Sequence, residues 1–261
     1  MSYLHWLVAI SLGFVLVERL LPWRKGQPTL RAGWLRDLGL LALNGHLFSL
    51  WTGALTAALA LGTTRLLQSW GLVLDSSPVP RWPFLAQFLV FLVLADFLQW
   101  CVHNLLHRVP WLWAFHKVHH SITTMDWIGN WRFHWMEILV YKSLQWLPLA
   151  WLGASGETGL AVAVVSTLWG DFNHSNLNAG LGPLGYVFNN PRMHLWHHDV
   201  STEGGVAKNF GIVLSLWDFV FRTAYWPRER SPESLGYPGM EEMPESFAGE
   251  ALFPLTRRRA A

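Results

Sequence analysis

HNLLHRVPWLWAFHKVHH, residues 103–120, holds five histidines, spaced H-x3-H at His103 and His107 and then H-x2-H-H at His116, His119 and His120. A second H-x2-H-H follows at His194, His197 and His198, with His134 and His174 between. Ten of the chain's 12 histidines fall in this interval. On a helix, residues three and four apart share a face. His103 and His107 can therefore grip one ion. In H-x2-H-H the first histidine shares a face with both later ones, while the adjacent pair diverges by about 100°. That pair addresses two ions, or two sides of one. The pair and the two triplets give eight imidazoles, whereas one ion takes about four to six ligands, so two ions are expected. Imidazole suits Fe, Zn, Cu and Ni, and ligand type alone does not choose among them. Satisfied histidines in a polar interior would explain one such residue, not ten in matching motifs.

The rest of the chain is apolar. Of 261 residues, 52% are hydrophobic and 14% charged, against a usual charged share of about 25%, and mean hydropathy is +0.24. Eighteen tryptophans fit membrane interfaces. These values predict an all-α integral membrane bundle of about four spans. A net charge of +2 offers nothing to nucleic acid. The single cysteine, Cys101, excludes an intrachain disulfide and a cysteine-based zinc site.

The N-terminus lacks a basic region and a small-residue cleavage site, so it is expected to form a first membrane helix, about Leu4 to Leu21. A second apolar stretch runs from about Leu38 to Leu61 and contains His46; a third begins near Phe84, contains Asp96, and delivers His103 and His107 just before Pro110. An ionisable residue at membrane depth is a functional candidate by default, and Asp96 is a candidate to orient the histidines. Residues 63–83 form a connector, with Ser76, Ser77, Pro78 and Pro80 as breakers. Segments 136–152 and 158–170 form either a re-entrant hairpin or a pair of spans. No linker breaks the chain, so one structural domain is expected, with N-terminal spans over 1–83, a histidine-bearing region over 84–226, and a polar tail over 227–261, partly disordered against the membrane face and ending in RRRAA. The 22–36 loop carries Arg24, Lys25, Arg31 and Arg36, against Arg65 and Arg81 in the next loop. The positive-inside rule places the first loop, and with it the histidines, Arg108 and Lys117, on the cytoplasmic face.

Polar residues near the histidines are candidates to orient them. Glu137 lies at i+3 from His134 and is expected to hold it. Asn173 precedes His174. Asp199 follows His198 and is either an orienting group or a helix-end charge. The Asn173-His174-Ser175 glycosylation sequon is discounted beside a candidate ligand. Gly204 and Gly205 indicate a loop, and Asn209, Trp217 and Asp218 flank an amphipathic helix expected to lie under the histidines.

The order of these motifs resembles the fatty acid hydroxylase / sterol desaturase superfamily, whose members are membrane di-iron oxygenases. The matching pieces are DFLQWCVHNLLH (96–107), FHKVHHS (115–121), WRFHWMEIL (131–139), FNHSN (172–176), HLWHH (194–198) and NFGIVLSLWDFVFRT (209–223). The resemblance covers roughly residues 84–226. Trp135 stands where a related R-x-H-P-x-E pattern has proline, and His174 lacks a histidine four residues away, having Gly170 and Asn178 there. The second departure argues against a plain fatty acid 2-hydroxylase, favours the sterol-desaturase-like branch, and makes His134 the weaker candidate ligand beside His174.

The resemblance implies two irons on His103, His107, His116, His119, His120, His194, His197 and His198, with His174, activating O2 to hydroxylate or desaturate a lipid. Another metal such as zinc can replace iron in a purified sample. The aromatics Trp111, Trp113, Phe115, Trp127, Trp131, Phe133 and Trp135 either line the pocket or form an interfacial belt. No flavin, nicotinamide or haem fingerprint is present, so electrons are expected from a cytochrome b5-like, ferredoxin-like or pterin donor, docked on Arg108 and Lys117. An ether-lipid-cleaving monooxygenase is the alternative within the same fold. A histidine-rich metal-ion transporter is the alternative of another class; it predicts ligands near mid-bilayer, whereas these cluster at span ends.

Overall fold

Among the described residues the helical expectation holds throughout, with isolated bridges and no strand. The computed structural model describes residues 1–72, 79–201 and 207–255. Ser76, Ser77, Pro78, Gly204, Gly205 and the terminal arginines lie outside them.

The first apolar run folds as α1 (Tyr3–Leu20). Its start is closed by Ser2, whose hydroxyl lies 2.6 Å from His5 Nδ1. The second stretch is longer than expected. Helix α2 (Trp34–Ala42), a π-turn over Leu43–Leu47 and α3 (Phe48–Ser69) follow one another without a break. The expected connector from residue 63 is helical as far as Ser69, and Thr63 turns its hydroxyl back on the Leu59 carbonyl (2.6 Å), which hides its polarity within the apolar helix. The third stretch forms α4 (Phe84–Arg108). The α1, α2–α3 and α4 rods are the three helices, among the described residues, long and apolar enough to cross a membrane.

Pro110 ends α4 and starts α5 (Pro110–His120). Proline disfavours helical backbone at the residue before it, and Val109 is extended. Proline is also favoured at the first helical position, where its missing N–H would be unpaired anyway. Helices α6 (Trp135–Leu152) and α7 (Gly156–His174) follow. They turn at Gly153, whose φ of +78° glycine adopts without strain. Pro148 sits inside α6. Helix α3 packs on α6, α4 on α6 and α7, and α1 on α7. The short helices α8 (Pro191–His197), α9 (Leu216–Val220) and α10 (Phe247–Leu252) complete the fold.

One end of the bundle is tied by charge. Arg31, 6% exposed, pairs with Asp37 (2.5 Å) and Asp126 (2.8 Å). Fully buried Arg132 pairs with Asp37 (2.5 Å) and Glu250 (2.7 Å), and Arg36 reaches Glu250 (3.3 Å). Two of the four charges counted in the first loop are therefore structural bonds. They hold that loop on the same face as the segment leading to His134.

The tail packs on this face rather than lying loosely beside it. Gly236 donates to the His198 carbonyl (2.9 Å) and Val200 to that of Ser234 (3.2 Å). Tyr237, Met243 and Phe253 bury against Val118 of α5.

Candidate metal centre

Nine histidines meet at the loop-bearing end of the bundle in two groups. His103, His107, His116, His120 and His197 form one, and His119, His174, His194 and His198 the other. Within each group, one ligand atom per residue lies within 4.8 Å of every other. The H-x2-H-H geometry explains the split. Adjacent His119 and His120 diverge and fall into different groups, as do His197 and His198. Eight of the nine are buried, and His107 is partly so.

Four imidazoles are oriented by oxygen acceptors. His103 Nδ1 donates to the Phe210 carbonyl (2.8 Å), His197 Nδ1 to that of Lys208 (2.7 Å), His174 Nδ1 to that of Gly170 (2.8 Å), and His116 Nδ1 to both oxygens of Glu137 (3.0 Å each). An oxygen that only accepts puts the proton on Nδ1 and leaves the Nε2 lone pair facing the group. In the five-histidine group all five Nε2 atoms are buried without a protein partner. In the other, His174 Nε2 lies 3.3 Å from His119 Nε2 and 3.2 Å from His194 Nε2. That is roughly the spacing of two nitrogens each about 2.1 Å from one ion. Nε2 atoms that converge with no protein partner but one another fit a metal, and the all-imidazole donor set fits iron, zinc, copper or nickel.

Burial keeps five of these imidazoles neutral. It drives His119, His120, His194 and His198 well below the ordinary 6.5. It takes His197 down to about 3 against the opposing bond to Lys208. Neutral imidazole is the form that binds metal.

The tenth histidine is not brought in. His134 caps α6, its Nδ1 accepting from Met136 N–H (3.1 Å), while its Nε2 donates to the Ala251 carbonyl (2.9 Å). Both nitrogens are committed, so no lone pair remains for an ion. Glu137 therefore orients His116, across the space between α5 and α6, rather than His134 at i−3. The other three orienting candidates touch no clustered imidazole. Asp96 accepts from Val213 N–H (2.8 Å), Leu214 N–H (3.0 Å) and Trp217 Nε1 (2.9 Å), pinning the 209–217 loop to α4. Asn173 donates to the Ile212 carbonyl (2.8 Å). Asp199 folds onto Ser201, taking its N–H (3.2 Å) and hydroxyl (2.9 Å), and so is a local turn group.

Asp218 does more than its sequence context indicates. Its carboxylate takes Phe210 N–H (2.9 Å), Gly211 N–H (2.9 Å), Trp100 Nε1 (3.0 Å) and the Thr223 hydroxyl (2.6 Å). It thereby fixes the loop whose carbonyls hold His103 and His197. Gly170, at the position where a paired histidine is absent, serves through its backbone carbonyl; a Cβ there would stand 2.7 Å from Asn130.

A cavity of about 650 Å³ opens beside the histidines between α3, α4, α6 and α7, reaching His103, His116, His119 and His174. Of the aromatics expected around it, Trp131 and Phe133 line it. Trp113 packs with its ring tilted against His107 (4.9 Å) and His120 (5.1 Å) instead, and Trp111 is exposed. Lys117 Nζ lies 5.2 Å from the Tyr237 ring centre.

The fatty acid hydroxylase family model matches residues 88–223, just over half of the chain. An ornithine lipid hydroxylase of Rhizobium tropici is 33% identical over 179 residues, 68% of this chain and 53% of that protein. Alkylglycerol monooxygenases of Caenorhabditis elegans and Homo sapiens are 27% and 28% identical over 54% and 55% of this chain, and 27% and 32% of theirs. The chain thus spans about half or less of the length of these curated relatives. No solved structure matches. The matched region runs from α4 to just past α9 and contains all nine clustered histidines, and the chain belongs to the fatty acid hydroxylase family, within the superfamily that includes the sterol desaturases.

Proposed function

We propose that this protein is a membrane-embedded di-iron oxygenase that uses O2 to hydroxylate a lipid. The observation that carries the reading is the pair of buried histidine groups, with Nε2 lone pairs converging at the mouth of a cavity between apolar helices. One iron would be held by His103, His107, His116, His120 and His197, and the other by His119, His174, His194 and His198. The metals would supply the redox chemistry to break an unreactive C–H bond, which acid–base side chains cannot do.

The chain's own residues do the rest. Glu137 and the carbonyls of Phe210, Lys208 and Gly170 hold protons on the outward nitrogens and keep four ligands in register. Trp131 and Phe133 wall the cavity where a hydrocarbon chain would pass. The charged face built on Arg31, Asp37, Arg132 and Glu250 sits at the histidine end, which we assign to the cytoplasmic side. An external cytochrome b5-like, ferredoxin-like or pterin donor would deliver electrons there. Ligands gathered at one end of the bundle, rather than strung through it, disfavour transport. A monooxygenase that cleaves ether lipids is the second reading, favoured by the similarity to alkylglycerol monooxygenases.

Lipidomics with isotope-labelled O2 tests this, comparing wild type with His119→Ala. One labelled oxygen should enter a lipid in the wild type alone, and purified protein should carry about two irons per chain. Metal uptake into vesicles with no oxidised lipid would overturn the proposal.

A further inference from the structure

A cavity built only for hydrocarbon would be apolar throughout, and this one is not. Polar side chains line it one and two helical turns from the histidine groups. Gln99 lies one turn before His103 on α4. Tyr141 and Gln145 lie one and two turns beyond Glu137 on α6, and Thr56 faces them from α3. Lys142 lines the same space.

Their hydrogen bonds are incomplete in a patterned way. Gln145 is 1% exposed. Its Nε2 donates to the Ala95 carbonyl (3.2 Å) and to Gln99 Oε1 (3.1 Å). A backbone carbonyl accepts only, which fixes the amide's orientation. Gln145 Oε1 is then a buried acceptor with no protein donor, and Thr56 Oγ1 is likewise buried without a partner. The Gln99 side chain bonds the Tyr141 hydroxyl as well, so this pair backs Gln145 rather than completing it. Burial disfavours the charge of Lys142, and Glu137 opposes that in part. The lysine has no carboxylate within ion-pair distance among the described residues, and both Glu137 oxygens are taken by His116. Buried polar groups are normally satisfied, and an ammonium beside a low-dielectric cavity attracts an anion strongly.

We propose that Lys142, Gln145 and Thr56 form a subsite for an acidic lipid headgroup, one that carries an anionic oxygen and an adjacent N–H or O–H. The anionic oxygen meets Lys142, the donor meets Gln145 Oε1, and the Thr56 hydroxyl meets either. The headgroup end thus enters the cavity, and the carbons brought to the histidines are those near the headgroup, not those at the far end of an acyl chain. This inference rests on the lipid-oxygenase reading above and narrows its substrate class.

Full-length protein in nanodiscs is titrated with N-palmitoylglycine (a carboxylate with an amide N–H), a lysophosphatidate (a phosphate with a hydroxyl) and a neutral monoalkylglycerol, bound lipid being read by native mass spectrometry. Wild type should bind at least one acidic probe about tenfold more tightly than the neutral one, the tighter acid naming the headgroup class. Lys142→Met should erase that preference and leave neutral-lipid binding and iron content unchanged, while Lys142→Arg should retain it. Gln145→Met should weaken the acidic probes by a smaller factor. In turnover, Lys142→Met should raise KM for the acidic lipid more than it lowers kcat. No preference in wild type, or an undiminished one in Lys142→Met, overturns the inference. Binding is measured without turnover, so loss of iron or of O2-dependent product would sink the oxygenase reading separately.

Discussion

Glu137, in the first turn of α6, reaches across to α5 and accepts the Nδ1 proton of His116 on both carboxylate oxygens at 3.0 Å. Among the described residues it is the carboxylate that touches a clustered imidazole. The contact sets the tautomer of His116, makes its Nε2 a stronger donor, and joins two helices at the five-histidine group.

Removing that carboxylate should weaken one metal more than the other. On the proposed two-metal reading, Glu137→Ala is expected to lower metal affinity by roughly 10- to 100-fold at the His116 group and to leave the other group loaded. Glu137→Gln should do less, because its carbonyl still accepts from Nδ1. Metal analysis after dialysis against graded chelator reads this. Equal loss of both ions would show that Glu137 does not act through His116.

His134 gives the opposite expectation. Both of its nitrogens are used by protein partners, Met136 N–H and the Ala251 carbonyl. His134→Ala should therefore leave metal content at the wild-type level while costing about 1 kcal/mol for the lost helix cap. His119→Ala should lower metal content. The comparison needs only metal analysis and a thermal melt. Metal loss in His134→Ala equal to that in His119→Ala would return it to the ligand set.

These two residues show where sequence stops being legible. The H-x3-H and H-x2-H-H spacings are local, and helical periodicity places eight imidazoles on usable faces; His174, the ninth, has no such spacing. The division into two groups is tertiary. It depends on how α8 meets α4 and α5, which no spacing encodes. Glu137 was visible as an orienting carboxylate, but i+3 proximity pointed to His134, whereas the partner comes from another helix. The orienting carbonyls of Phe210, Lys208 and Gly170 carry no side-chain signature at all. Asp96, Asn173 and Asp199 were notable for charge or adjacency and support loops instead. The three long apolar helices were readable from composition. The tail's attachment was not, because Glu250 finds Arg132 across more than a hundred residues.

Acid should unfold the metal-free protein early. Burial holds His197 at about 3 when folded, against about 6.5 when unfolded. Between those values the unfolded state binds the extra proton, so this contribution is complete above about pH 6.5 and is lost as pH falls toward 3. His119, His120, His194 and His198 shift the same way for the same cause. Melting temperature should stay flat above pH 7 and drop with a slope of more than one proton below about 6.5. His197→Gln should make the drop shallower. A melting temperature unchanged from pH 7 to 5 would contradict the buried neutral state of these imidazoles.

Asp218 should matter to the metals through the backbone. It takes the N–H groups of Phe210 and Gly211 together with Trp100 Nε1 and the Thr223 hydroxyl, and the Phe210 carbonyl in turn takes His103. Asparagine offers one acceptor oxygen and turns an amide N–H toward buried donors. Asp218→Asn is therefore expected to cost on the order of 2–4 kcal/mol and to weaken the five-histidine group, which loses the positions of His103 and His197. The other group should hold, since His174 is fixed from Gly170 on α7. Asp96→Asn offers the control. It replaces one of the two oxygens that accept from Val213 on one side and from Leu214 and Trp217 on the other, further along the same loop, so it should cost comparable stability with a smaller loss of metal. Chelator titrations beside thermal melts would separate the two variants. If both lost metal only in proportion to stability, Asp218 would be a fold residue and not a positioning residue for His103.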